Sequence, residues 1–162
     1  KFVFSEAGYN FEPSEIGAAF GLEQLKKFNI FSKKRNYNFK LHKSFFGEYK
    51  DIFITPSILA KVKTNFLSYP IILKTNKYFD RKQLQIYLEN NNIQTRPIFS
   101  GNALRHPAFS NLISKRNKLS DFKNSDYIMR NGMLIGCHQG LSIENINFIH
   151  KVITKFLKKK CN

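Results

Sequence analysis

Residues 131–157 read NGMLIGCHQGLSIENINFIHKVITKFL, and this stretch decides the fold. Met133 to Cys137 is a short apolar run with Gly132 before it and His138-Gln139-Gly140 after it, the pattern of a buried strand ending in a turn. Ser142 then stands where a helix cap is needed. Behind it Ile146, Ile149, Val152, Ile153, Phe156 and Leu157 recur at helical spacing. Such a stripe is more often core than a membrane-facing surface. The lysines Lys158 to Lys160 gather at the C-terminus, where the helix dipole favours positive charge.

The same reading extends upstream. Asp121 opens a short helix, and residues 100–120 are loop-rich, with Gly101-Asn102 and His106-Pro107. Ile93 to Phe99 is extended, and Pro97 places it at an edge or bulge. Asp80 caps a helix with Leu84, Tyr87 and Leu88 on one side, stopped by Asn90-Asn91-Asn92. Phe66 to Leu73 and Ile52 to Ile54 read as strands. Ser14 caps a long first helix whose pattern runs, with an interruption, towards Phe46-Gly47. Its expected inner face includes Ile16, Ala19, Phe20 and Leu25; Lys26, Lys27, Lys33, Lys34 and Arg35 are expected to face outward. The order predicts an α+β fold, an antiparallel-rich sheet layered with helices. The long first helix reads as a bridge towards another domain.

Composition narrows the class. A chain of 162 residues is about one domain. Its 15% aromatic content excludes general disorder. No run approaches the ~20 apolar residues of a membrane span, and residues 1–15 carry three carboxylates and no apolar run, unlike a signal peptide. The net charge of +16 invites a nucleic-acid reading. Against it, 72 of 162 residues are Lys, Asn, Ile or Phe, the set that A/T-rich codons inflate, and only six are Arg. Codon bias is therefore the preferred source of the charge, with an anionic small-molecule substrate compatible with it. Cys137 and Cys161 have no metal or disulfide spacing, which fits a reducing cytoplasm.

Three segments invite chemistry. Gly8-Tyr9-Asn10 could offer an amide to a phosphate, although Gly and Asn also shape a chain leading into a helix. Arg96-Pro97 with Ser100-Gly101-Asn102 combines an anion-binding fork, a position free of Cβ and an amide. It reads equally as a binding loop or a plain one. Gly136-Cys137-His138-Gln139-Gly140 sets a thiol beside an imidazole. Strand neighbours point to opposite faces, so the pair is a poor catalytic dyad. His42, His106 and His150 show no metal spacing, and His150 is expected at the surface or a boundary.

Together GYNFEPSEIGAAFGLEQLKKF, IQTRPIFSGNALRHPAF and NSDYIMRNGMLIGCHQGLSIENINFI resemble the C-terminal part of the DegT-type sugar aminotransferases and their dehydratase branch. The resemblance spans residues 3–157. The Arg-Pro…Gly-Asn and Ile-Gly-x-His-Gln forms look most like the 3-dehydratases. It implies the small C-terminal domain of a fold-type-I transferase that uses pyridoxal or pyridoxamine 5'-phosphate (PLP or PMP). Residues 1–47 would connect from the cofactor domain, and residues 48–162 would form the small domain. The implied substrate is a nucleotide-linked 4-keto-6-deoxy sugar used in surface polysaccharide, with neither nucleic acid nor membrane as partner. In the dehydratase branch a His acts as base and the C3 hydroxyl leaves; in the aminotransferase branch a Lys shuttles the proton and C4 is aminated. Asn10 matches the residue that reaches the cofactor phosphate of the neighbouring subunit, which implies a homodimer with composite sites. Arg96 and Asn102 would lie near the sugar, and His138 near the pocket wall. The family's catalytic Lys or His position falls ahead of Lys1, which is not itself taken for that lysine. These 162 residues alone are therefore expected to be inactive and, with apolar surface exposed, to self-associate. The alternatives are a 4-aminotransferase of the same family and a basic nucleic-acid-binding module.

Overall fold

β4 (Gly132–Gly136) runs through the interior of a four-stranded antiparallel sheet, flanked on one side by β2 (Ser68–Leu73) and on the other by β3 (Thr95–Pro97). β1 (Phe53–Ile54) closes the far edge against β2, giving the order β1-β2-β4-β3. Four helices accompany the strands: α1 (Glu15–Gly47), α2 (Arg81–Asn90), α3 (Lys123–Asn131) and α4 (Ile143–Cys161). The computed structural model describes Val3, Ser5, Glu6, Gly8 and residues 13–112 and 118–161. The fold is α+β, as the order of elements predicted. Pro97 lies on an edge strand, where its missing N–H removes no interior ladder bond.

Register fixes which side chains face inward. Tyr69, Ile71 and Leu73 alternate with half-buried neighbours along β2, and Tyr69 pairs with Ile135 and Ile71 with Met133. These residues form one core with Phe39 and Phe46 of α1, Leu84 and Leu88 of α2, and Ile149, Val152, Ile153 and Phe156 of α4. Each such side chain contributes roughly 1.5–3 kcal/mol when fully buried. α2 begins on a reciprocal cap: Asp80 accepts from the Gln83 N–H, and the Gln83 side chain accepts from the Asp80 N–H. It ends at Asn90, and Asn92 turns the chain at φ 59°. The short helix expected from Asp121 is a 3-10 turn, Leu119–Phe122, leading directly into α3.

α1 departs from its expected orientation. Ile16, Phe20 and Leu25, expected to face inward, are 84%, 67% and 66% exposed. The buried residues of α1 are Asn38, Phe39, His42 and Phe46, near its other end. Arg35, expected on the outer face, turns inward and donates from Nε to Oε1 of Gln139 at 2.7 Å. The physical reason is that apolar residues occur all round the first half of α1, so no single stripe selects an inward face. The helix is unbroken over 33 residues. None of the described helices is long and apolar enough to cross a membrane.

Two histidines tie α1 to α4 and to the end of β4. His42 is fully buried; its Nε2 lies 2.9 Å from the Gly136 carbonyl and its Nδ1 3.0 Å from His150 Nε2. The carbonyl can only accept, so His42 carries its proton on Nε2 and takes a hydrogen bond from His150 Nε2–H. Both rings are neutral. Burial pushes each down to about 4, with the neighbouring ring adding to the effect at His150. Below its ordinary value near 6.5 the unfolded chain therefore binds protons that the folded chain refuses, so stability falls with acidification.

With respect to this pair, unfolding free energy is expected to be flat between about pH 6.5 and 8 and to decline as pH falls towards 4. His42 contributes about 3 kcal/mol of that decline, at ~1.4 kcal/mol per pH unit. Urea titrations across this range check it, and His42→Phe is expected to show a shallower slope. The exposed apolar residues of α1 also predict self-association. Sedimentation velocity is expected to show species heavier than a 19.0 kDa monomer.

Candidate functional site

Where β4 ends, the chain makes a tight turn through Cys137 to Leu141 before α4 begins. Gly136 pairs with Ser68 at the start of β2, while β3 begins only at the level of Ile135. β3 thus leaves the last residue of β4 uncovered, and a cavity of about 430 Å³ opens there. Its apolar wall includes Ile93, Leu134 and Phe148; its polar groups include Gln94, Arg96, His138 and Asn145. Arg96 pairs in register with Leu134 and projects on the sheet face opposite Thr95, which is buried. No carboxylate partners Arg96 among the described residues, so its guanidinium is open to an anion.

His138 is held by its own turn. The Gly140 N–H donates to Nδ1 at 3.1 Å, so that nitrogen is unprotonated in the neutral ring and Nε2 carries the proton. The geometry gives one cavity an unpaired cationic fork and a ring held by its own turn. Cys137, next in the chain, is fully buried. Its thiol donates to the Arg35 carbonyl at 3.5 Å, and burial pushes it up to about 12. It stays a thiol at neutral pH and packs in the core.

Asn102 lies elsewhere. It is buried, and its Nδ2 donates to Oδ1 of Asp126 at 2.8 Å while its Oδ1 accepts from the Leu104 N–H at 3.2 Å. Arg105 meets the same carboxylate with a two-pronged contact from Nε and Nη2, and Arg130 approaches at 3.9 Å. The Arg105 and Asn102 hydrogen bonds hold the Asp126 carboxyl down at about 2. Arg96 and His138 thus share one cavity, and Asn102 lines neither it nor the neighbouring one, about 420 Å³, beside Phe99 and Gly101. Asn10 lies outside the described residues. Sequence reasoning missed Asp126 and the part played by the α1 residues Asn38 and His42, with His42 noted only for its lack of metal spacing. A polar pair at i and i+4 among the aromatics Phe39, Phe45 and Phe46 was the available signal for the latter two; nothing local marked Asp126.

The α+β unit thus places a cation and a ring donor at the open end of its sheet, a donor set chemically suited to an anionic group. Residues 1–154 match the profile of the DegT/DnrJ/EryC1/StrS aminotransferase family, and the chain belongs to that family. It is 31% identical over 156 residues to the lipopolysaccharide biosynthesis protein RfbH of Salmonella typhimurium, covering 96% of this chain and 35% of that protein. It is 30% identical over 166 residues to a dTDP-4-dehydro-2,6-dideoxy-D-glucose 3-dehydratase of Saccharopolyspora spinosa, covering 98% and 34%. Other relatives are named as transaminases of nucleotide-linked sugars. Among solved structures, the E. coli GDP-4-keto-6-deoxy-D-mannose-3-dehydratase with bound hydrated PLP superposes with TM-score 0.74 at 27% identity, over 90% of this chain and 36% of that one. The chain spans about a third of the length of the curated relatives named above.

Gly101 closes the loop that carries Asn102. It sits at φ +68°, and a Cβ there would lie 2.4 Å from the Met129 Cβ. Gly101→Ala is expected to lose about 2–4 kcal/mol of stability, combining left-handed backbone strain with overpacking. Urea denaturation checks it.

Proposed function

We propose that the chain is the C-terminal part of a PLP- or PMP-dependent nucleotide-sugar enzyme, a 3-dehydratase acting on a nucleotide-linked 4-keto-6-deoxyhexose. The observation that carries this reading is that the unpaired Arg96 and the turn-held His138 ring line one partly apolar cavity. A diphosphate or sugar hydroxyl suits those donors, and the apolar wall suits a base or sugar face. The family and the relatives named as 3-dehydratases support the branch. In this reading residues 1–47 lead from a cofactor domain, residues 48–162 form the small domain, and the protein works in the cytoplasm as a homodimer. Asn10 then reaches a cofactor phosphate across the dimer.

The cavity does not fit the cofactor ring. No carboxylate lines it among the described residues, so nothing there pairs with a pyridinium nitrogen. When bound, the cofactor supplies an electron sink for deprotonation beside a carbon–nitrogen bond. What these residues contribute is on the substrate side: Arg96 binds negative charge, His138 donates from Nε2, and the apolar wall excludes water. Asn102 acts through Asp126 by holding the loop after β3 in shape.

The transaminase relatives favour the second reading, a 4-aminotransferase of the same family. Mass spectrometry of products separates the two in the complete product of the reading frame that encodes these residues. Incubated with GDP- or dTDP-linked 4-keto-6-deoxyhexose, PMP and glutamate, a dehydratase yields a sugar lacking the C3 oxygen. An aminotransferase yields a 4-amino sugar, and formation of neither product, with the CDP-linked sugar tried as well, rejects both. The 162 residues by themselves are expected to give no turnover. Arg96→Ala is expected to raise KM for the sugar nucleotide roughly 10- to 100-fold, the worth of one charge-assisted hydrogen bond. Duplex DNA at moderate salt is expected to leave the protein unbound.

A further inference from the structure

The turn that carries His138 is closed by its own bond from the Leu141 N–H to the His138 carbonyl at 3.2 Å, and is held from outside by α1. Three carbonyls along it, those of Gly136, His138 and Leu141, are received by α1 side chains. His42 Nε2–H donates to the Gly136 carbonyl at 2.9 Å. Asn38 Nδ2 donates to both the His138 carbonyl, at 3.0 Å, and the Leu141 carbonyl, at 3.4 Å. Arg35 anchors the Gln139 side chain between them. Positions 35, 38 and 42 fall on one face of a helix.

We propose that Asn38 is the positioning residue for His138, a role that rests on the reading of His138 as a substrate-facing donor. Its single amide staples both ends of the turn, because a primary amide has two N–H donors. Asn38 is buried. A carboxylate in its place has no donor, and an aliphatic side chain takes the amide from the Leu141 carbonyl and leaves the His138 carbonyl only the Leu141 N–H. With the turn closed, the Gly140 N–H reaches His138 Nδ1, which ties down the ring that lines the cavity and leaves Nε2 as its free donor. With the turn open, Gly140 leaves the ring and the exposed imidazole samples its other rotamers. α1 thus determines where a cavity group stands without touching the cavity.

Amide hydrogen exchange by NMR on the 162-residue chain tests the staple without a ligand. In the unsubstituted chain the Asn38 side-chain N–H groups are expected to be protected; exchange at the rate of a free amide overturns the proposal whether or not any variant folds. In Asn38→Ser the Gly140 amide is expected to exchange at least about tenfold faster while Met133 and Ile135 in β4 stay protected. Unchanged Gly140 exchange, or equal loss throughout β4, overturns it. Calorimetric titration with GDP then tests the coupling: Asn38→Ser and His138→Ala are each expected to weaken binding several-fold, and the double variant no more than His138→Ala alone. Additive losses overturn the positioning role. If His138→Ala leaves GDP affinity unchanged, the substrate-side reading of His138 fails, and the exchange results decide the staple separately.

Discussion

A buried imidazole must either pair its two nitrogens or lose more than its burial gains, and His42 pairs both. One reaches the carbonyl that ends β4, and the other meets His150 on α4. α1 is thereby fixed to β4 and α4, about a hundred residues further on, by a neutral ring packed against Tyr69 and Phe46. Phe45 stacks on His150 at 4.1 Å and shields the pair from the outside. The register of β4, the placing of α4 and the inward turn of α1 all meet at this contact. The position of the cavity is a consequence of it, since the cavity opens where β4 gives way to the turn.

The two loops beside the sheet are built on different physics. The turn from Cys137 to Leu141 is short and is held by donors from α1. The loop after β3 is long and is organised by one carboxylate, with Asp126 drawing in Asn102 and Arg105. Phe99 stands at φ 45°, a left-handed conformation unusual for an aromatic residue, and is exposed near the start of that loop. Strain of this kind persists only where the surroundings fix the backbone, and Gly101 packed on α3 and Asn102 on Asp126 do so. The motif that resembles the dehydratases is therefore, in this chain, first a piece of loop architecture.

Legibility in the sequence followed the range of the interactions. α4 could be read because each of its six buried apolar residues obeys helical spacing. α2 could be read because its cap lies within four residues. The facing of α1 could not, because its apolar residues go round the helix and the choice was made by contacts more than 90 residues away, at Gly136 and His138. Arg96 and His138 were each legible as residue types worth noting, yet their shared cavity depends on a strand pairing between residues 96 and 134. Asn102 was legible too, but whether its amide faced a ligand or a carboxylate rested on Asp126, 24 residues on.

Alone, the sequence determined the elements, their α+β class and the family, because hydrophobic period, capping and turn chemistry act within a few residues. Tertiary structure decided which half of α1 is buried, which carbonyls its polar face receives, and which candidate residues meet at one cavity. Those outcomes depend on hydrogen bonds and packing between segments up to about a hundred residues apart, such as Asn38 with His138, and no local pattern encodes the partner.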